Sequence, residues 1–64
     1  MTVPIADQIY EANRELRMRQ FKYPQWVTRG TMSQRDADRQ IERLKAIIAT
    51  LQSVQASERP GLGL

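Results

Sequence analysis

Two stretches of this chain repeat one spacing of mostly apolar residues, and that spacing constrains the fold more than any other feature. From residue 5 to residue 23, and again from residue 37 to residue 55, the repeated positions are four, three, four, three and four residues apart. This spacing places side chains along one side of an α-helix. The sequence therefore predicts two amphipathic helices. We call these positions the seam; they are Ile5, Ile9, Ala12, Leu16, Arg19, Tyr23, Ala37, Ile41, Leu44, Ile48, Leu51 and Gln55.

Prolines mark the expected ends of the first helix. Pro4 sets the backbone angle φ to a value that suits a helix start. Pro24 disfavours helical geometry at the residue before it, so this helix is expected over residues 4–23, with an end or a kink there. Residues 24–32 then form an elbow, whose first part can add one more turn that is closed by Gly30 in a left-handed conformation.

The second helix has a stronger start signal. Ser33 stands three residues before Asp36, a spacing that matches a capping box. The second helix is therefore expected over residues 34–56. The domain is then a helical hairpin over residues 1–57, and the Pro- and Gly-containing segment 58–64 is expected to be a flexible tail.

Folding the chain about the elbow brings the two seams into matching register. Tyr23 then meets Ala37, and Ala12 meets Ile48, so large side chains face small ones, as close packing of antiparallel helices requires. Trp26 is expected to cap the core at the elbow end. These signals together predict an all-α fold, an antiparallel two-helix hairpin.

The chain is too short to be comfortably stable on its own. A domain of 64 residues buries little of its surface, and small domains are usually reinforced by disulfides, a metal or association. Because the chain has no Cys and no His, association is the remedy that is left. The second helix carries apolar side chains beside its seam, which a second copy would cover in a dimeric four-helix bundle. The expected dimer interface is Ile47, Leu51 and Val54; the alternative is a tolerated scatter of exposed apolar residues.

The chain shows no targeting or membrane signal. Its first eight residues have neither the basic nor the apolar segment of a signal peptide. No apolar run approaches the roughly 18 residues that a membrane span needs. A cytoplasmic location without membrane partners is therefore expected.

The outer face of the first helix has an unusual composition. Roughly 150° from the seam, at about 100° per residue, two aromatic and two arginine side chains lie in a line. Such residues are enriched at protein interface hot spots, although they can also stack on bases or bind phosphates. The alternatives are a solvated charged face, or residues that only complete the dimer. We call this line the outer stripe, and it consists of Tyr10, Arg14, Arg17 and Phe21.

Residues for catalysis are missing. Without His or Cys, no nucleophile–histidine pair can form, and the three glycines do not form a phosphate-binding loop. Asp38 and Glu42 share a helix face, but neighbouring arginines favour their charged forms over a role in acid–base catalysis. The chain is therefore expected to be no enzyme and to carry no metal or cofactor.

Two motifs stand at the elbow and at the start of the second helix. They are Tyr23-Pro24-x-Trp26-Val27-x-x-Gly30 and Ala37-Asp38-x-Gln40-Ile41. With these motifs the chain resembles a group of short phage and prophage proteins over about residues 10–52. A more distant similarity connects it to the phage-encoded anti-activators of quorum sensing, which are small dimeric helical proteins that bind a host transcription regulator.

The resemblance implies an accessory phage protein that binds a host protein and modulates or inhibits it. A nucleic-acid-binding module in phage DNA metabolism or regulation is the second candidate, and a structural or assembly adaptor is the third. Acidic residues on both helices interrupt any broad phosphate-binding surface, so nucleic acid ranks behind protein. Those acidic residues are Asp7, Glu11, Asp36, Asp38 and Glu42.

Overall fold

Two antiparallel helices make up the fold. A computed structural model describes residues 2–58. Helix α1 spans Ile5–Arg29 and helix α2 spans Gln34–Ser57, and the described part of the chain contains no strand. The two helices pack against each other along their length. The predicted all-α hairpin is confirmed.

Helix α1 does not end at residue 23, so that predicted boundary is wrong. The helix continues through Pro24, and residues 24–29 belong to α1 rather than to the elbow. A proline inside a helix removes one backbone hydrogen bond, here the bond to the Gln20 carbonyl, and crowds that carbonyl. Packing offsets this cost, because Tyr23 is buried and its hydroxyl donates a hydrogen bond to Gln40 Oε1 on α2 at 3.0 Å.

Gly30 ends α1 in the left-handed conformation that the sequence predicts. Its φ is 81°, and its backbone N–H donates to the Val27 carbonyl at 3.0 Å. The next N–H, of Thr31, donates to the Trp26 carbonyl, also at 3.0 Å. This pair of bonds is the Schellman motif, which satisfies carbonyls at the end of the helix. The chain then turns within residues 30–33 and enters α2.

Replacing Gly30 with valine should lower the free energy of unfolding by about 1–2 kcal/mol, because a β-branched residue is strained at positive φ. A Cβ atom at this position would meet no atom within 4 Å, so the cost comes from the backbone and not from a clash. Urea denaturation followed by circular dichroism measures the loss. Gly30→Asn is the control, since Asn tolerates the left-handed region better. Equal losses in both variants would contradict this explanation.

Helix α2 begins where the sequence predicts and ends one residue later. Ser33 is its N-cap, and the Ser33 Oγ accepts a hydrogen bond from the Asp36 backbone N–H at 3.0 Å. In a full capping box, the Asp36 side chain would also accept from the Ser33 backbone N–H. Here the Asp36 carboxylate instead accepts from Arg39 Nη2 at 2.7 Å. At the other end, Glu58 follows the helix. The rest of the predicted tail, residues 59–64, lies outside the described residues.

The seam forms the interface between the helices. Every seam residue is buried or half-buried, including the charged Arg19. The Arg19 guanidinium donates to Glu15 Oε2 at 3.1 Å, and its Nη1 donates to the Gln40 backbone carbonyl at 3.1 Å. The core is nonetheless thin. The buried residues within 2–58 are Tyr23, Ala37, Leu44 and Ile48.

Candidate functional site

The outer stripe lies on the side of α1 that faces away from α2. All four of its residues are exposed. Tyr10 keeps 64% of its surface exposed and Phe21 keeps 66%, although both are large aromatic residues. A regular helix holds them in line with Arg14 and Arg17, so the stripe is a rigid and continuous surface. The exposure agrees with the predicted position of these residues, and their role in binding stays a prediction.

Charge along the outer stripe is partly compensated. Arg14 Nη2 donates to Glu11 Oε2 at 3.0 Å, and this hydrogen bond, with the attraction to the Glu11 charge, raises the pKa of Arg14 above its ordinary value. Arg17 forms no ion pair with any of residues 2–58. Beside the stripe, Lys22 Nζ lies 5.9 Å from the centre of the Phe21 ring, at the outer range of a cation–π contact. The surface is therefore aromatic and moderately positive.

The predicted dimer interface lies on α2. Ile47 is 53% exposed and Val54 is 38% exposed, whereas Leu51 is half-buried by α1. A shallow depression of about 260 Å³ runs beside Ile47 and Leu51, between Ala46 and Thr50. No part of the hairpin within residues 2–58 covers Ile47. These side chains are available to a second molecule, as the sequence predicts, and the pairing itself stays a prediction.

A second group of exposed apolar residues was missed by the sequence reasoning. Trp26 was expected to cap the core, and its ring does lie 5.5 Å from the Tyr23 ring, but 39% of Trp26 stays exposed. Met18, 48% exposed, lies on the same flank of α1. The spacing of eight residues between them was the available signal, since it separates them by only about 80° around the helix. Together with Lys22 they line a small depression of about 90 Å³.

Acidic side chains within residues 2–58 are spread along both helices, and four of them form ion pairs. No group of three acidic side chains is placed to hold a metal ion. The carboxylates of Glu11, Glu15, Asp36 and Glu42 each form an ion pair with a basic side chain three or four residues away. A depression of about 360 Å³ beside Pro24 and Thr28 is an open surface hollow. Neither helix is long and apolar enough to span a membrane.

Comparisons with known proteins give no family to this chain. No protein-family model, curated protein or solved structure matches it. Its function therefore has to follow from the residues themselves. Two exposed surfaces stand out, the outer stripe on α1 and the apolar residues of the dimer interface on α2. Because they lie on different sides of the hairpin, one can be occupied while the other stays open.

Proposed function

We propose that this chain is a non-enzymatic accessory protein of the phage type, which binds a host protein through the outer stripe and modulates or inhibits it. One observation carries this proposal. Tyr10 and Phe21 are about two-thirds exposed on a face that the hairpin does not use for packing. Exposed aromatic residues flanked by arginine are typical of binding hot spots. A cytoplasmic host protein, such as a transcription regulator, is the class of partner that the sequence resemblance favours.

The energetics of the outer stripe suit a protein partner. An aromatic side chain buries about 150–250 Å² in an interface, and apolar burial contributes about 25 cal/mol per Å². Covering the exposed parts of Tyr10 and Phe21 would therefore contribute on the order of 5 kcal/mol before the costs of association. Because each of these side chains has only two rotatable χ angles, little side-chain freedom is lost on binding. Arg17, which forms no ion pair within residues 2–58, can add directional contacts to carboxylates of the partner.

Nucleic acid is the second candidate, and the ion pairs argue against it. A phosphate-binding surface works by bringing unpaired positive charges to the backbone. Arg14 is already paired with Glu11, so the outer stripe offers less free charge than its sequence suggests. Arg17 is the stripe's remaining cation. The stripe therefore presents two rings but little net charge, which favours a protein surface.

The double variant Arg14→Ala and Phe21→Ala should abolish capture of the partner from a bacterial lysate. Helicity should stay within a few per cent of the native chain, because both side chains are exposed and neither packs against α2. The measurement is a pull-down with purified protein, with and without nuclease, followed by titration of the captured protein. Arg35→Ala, which removes one exposed positive charge from α2, is the control and should leave capture intact.

Salt dependence separates the two candidate partners. If nucleic acid is bound, affinity should fall steeply with salt, and loss of Arg17 should reduce the slope of log K against log salt by about one. For a protein partner, the truncation of Phe21 should matter more than salt. Capture that survives the double variant, or that disappears on nuclease treatment, would contradict the proposed function.

A further inference from the structure

A hydrogen bond between the helices shows which of their flanks lie on the same side of the hairpin. Arg19, at one edge of the α1 seam, donates to the Gln40 backbone carbonyl, and Gln40 lies beside the α2 seam. At about 100° per residue, Trp26 lies on the Arg19 edge of α1, and Ile47 lies on the Gln40 edge of α2. The exposed apolar residues of both helices therefore belong to one broad side of the hairpin.

This side, which we call the apolar side, differs from the opposite broad side. It has five residues, which come from both helices. Four of them are exposed, and the fifth, Leu51, is half-buried. Both sides carry charged residues, but the opposite side has polar or small residues where this side has large apolar ones, among them Gln20, Asp38, Lys45, Ala49 and Gln52. Large apolar residues that the hairpin leaves exposed favour an interface on this side. The apolar side consists of Met18, Trp26, Ile47, Leu51 and Val54.

We propose that a second copy of this chain covers the apolar side, with Trp26 and Met18 of α1 in the interface together with Ile47, Leu51 and Val54 of α2. The hairpin buries only four side chains within residues 2–58, which is little for a chain without disulfides. A stabilising partner must be present whenever the chain folds. A second copy meets that requirement, because its concentration rises with that of the chain.

The size of the apolar side matches what a dimer needs. Helix α1 has 25 residues, so the side is about 37 Å long, and two helices make it about 20 Å wide. The flat outline of this side therefore has an area of about 750 Å². Each partner in a stable interface buries roughly 800 Å² of accessible surface, so the outline is of the size that a dimer needs. A symmetric dimer thus needs no surface from elsewhere in the chain.

Charges on the apolar side are compatible with a self-association. At about 100° per residue, charged residues of both signs lie among its apolar residues. They include the acidic Glu11, Glu15 and Asp36 and the basic Lys22, Arg29 and Arg43. In a two-fold symmetric interface the same surface is used by both copies, so a surface of one sign would repel itself. Here both signs are present, and a two-fold arrangement can oppose unlike charges.

The proposed dimer does not depend on the proposed function, which uses the outer stripe. The outer stripe points away from α2 and borders the apolar side only at Met18, which stands four residues from Arg14 and three from Phe21. Loss of self-association and loss of partner capture are measured separately, and each can fail while the other stands.

Sedimentation equilibrium of the native chain should show a particle of twice the 7.4 kDa chain mass. Ile47→Glu should raise the dimer dissociation constant at least 100-fold, because it places a charge in the apolar interface of both copies. Ala49→Glu is the matched control, with less than about a 3-fold change expected. It adds the same charge to α2, but on the opposite side. The local charge is also matched, because Arg43 stands four positions before Ile47 and Lys45 stands four positions before Ala49.

The only tryptophan reports on the same interface. On dilution of the native chain, Trp26 emission should shift to longer wavelength over the concentration range in which the mass falls. Because Ile47→Glu can unfold the chain as it dissociates, Met18→Glu on α1 provides a second test, with Gln20→Glu on the opposite side as its control. A native chain that stays a folded monomer would overturn the proposal. So would equal dissociation by Ile47→Glu and Ala49→Glu, or Trp26 emission that does not change between dimer and monomer.

Discussion

Replacing Leu44 with alanine is expected to remove most of the stability of the hairpin. Leu44 is one of the four buried residues within residues 2–58. A buried Leu→Ala change costs about 2–5 kcal/mol, since it combines lost transfer energy with a cavity. At roughly 0.05–0.15 kcal/mol per residue, a chain of 64 residues has only about 3–10 kcal/mol of total stability. We therefore expect Leu44→Ala to be largely unfolded, or to melt far below the native chain.

The measurement is urea denaturation followed by circular dichroism, at one fixed protein concentration because association adds to the apparent stability. Phe21→Ala is the control, since it removes a larger apolar side chain from an exposed site and should cost less than about 0.5 kcal/mol. Equal losses in the two variants would show that Phe21 belongs to a core. The outer stripe would then no longer be a free surface, and the proposed function would fall with it.

The hairpin could be predicted because its seam is long and regular. Each of the twelve seam positions is buried or half-buried, including the small Ala12 and the polar Gln55. A spacing of four and three residues follows directly from the pitch of the α-helix, and two matching seams leave few ways to pack. Gly30 and Ser33 added local signals whose geometry depends on only a few neighbouring residues. Information of this kind is contained in short segments of sequence.

The end of α1 could not be predicted in the same way. Pro24 gives a local signal to stop, but the helix continues because Tyr23 packs against α2 and the following turn is closed by Gly30. Tertiary contacts therefore override the local preference, and a single sequence shows only the preference. The partial exposure of Trp26 was missed for a related reason. Its burial depends on how closely the start of α2 packs against the last turns of α1.

The outer stripe could be predicted as a surface but not as a site for one particular partner. Helical periodicity places Tyr10 and Phe21 opposite the seam, and both are exposed. The pairing of Arg14 with Glu11 was missed in the sequence, although a spacing of three residues on a helix is the available signal. Guanidinium groups bind carboxylates and phosphates with the same geometry, and aromatic rings pack on proteins and on bases. The partner is specified by the surface that complements these groups, and that surface belongs to another molecule.

Replacing Pro24 with alanine is expected to stabilise the hairpin by about 1–3 kcal/mol, since it restores the backbone hydrogen bond to the Gln20 carbonyl and removes the clash with the proline ring. Pro24 is exposed, so little packing is lost with its side chain. Thr28→Ala, four residues further along the same face, is the control, and its smaller gain measures helix propensity alone. Thermal melting of both variants at equal concentration makes the comparison. If Pro24→Ala is instead less stable than the native chain, the proline sets a bend in α1 that seats Tyr23 against Gln40, and its cost to the helix is offset by that contact.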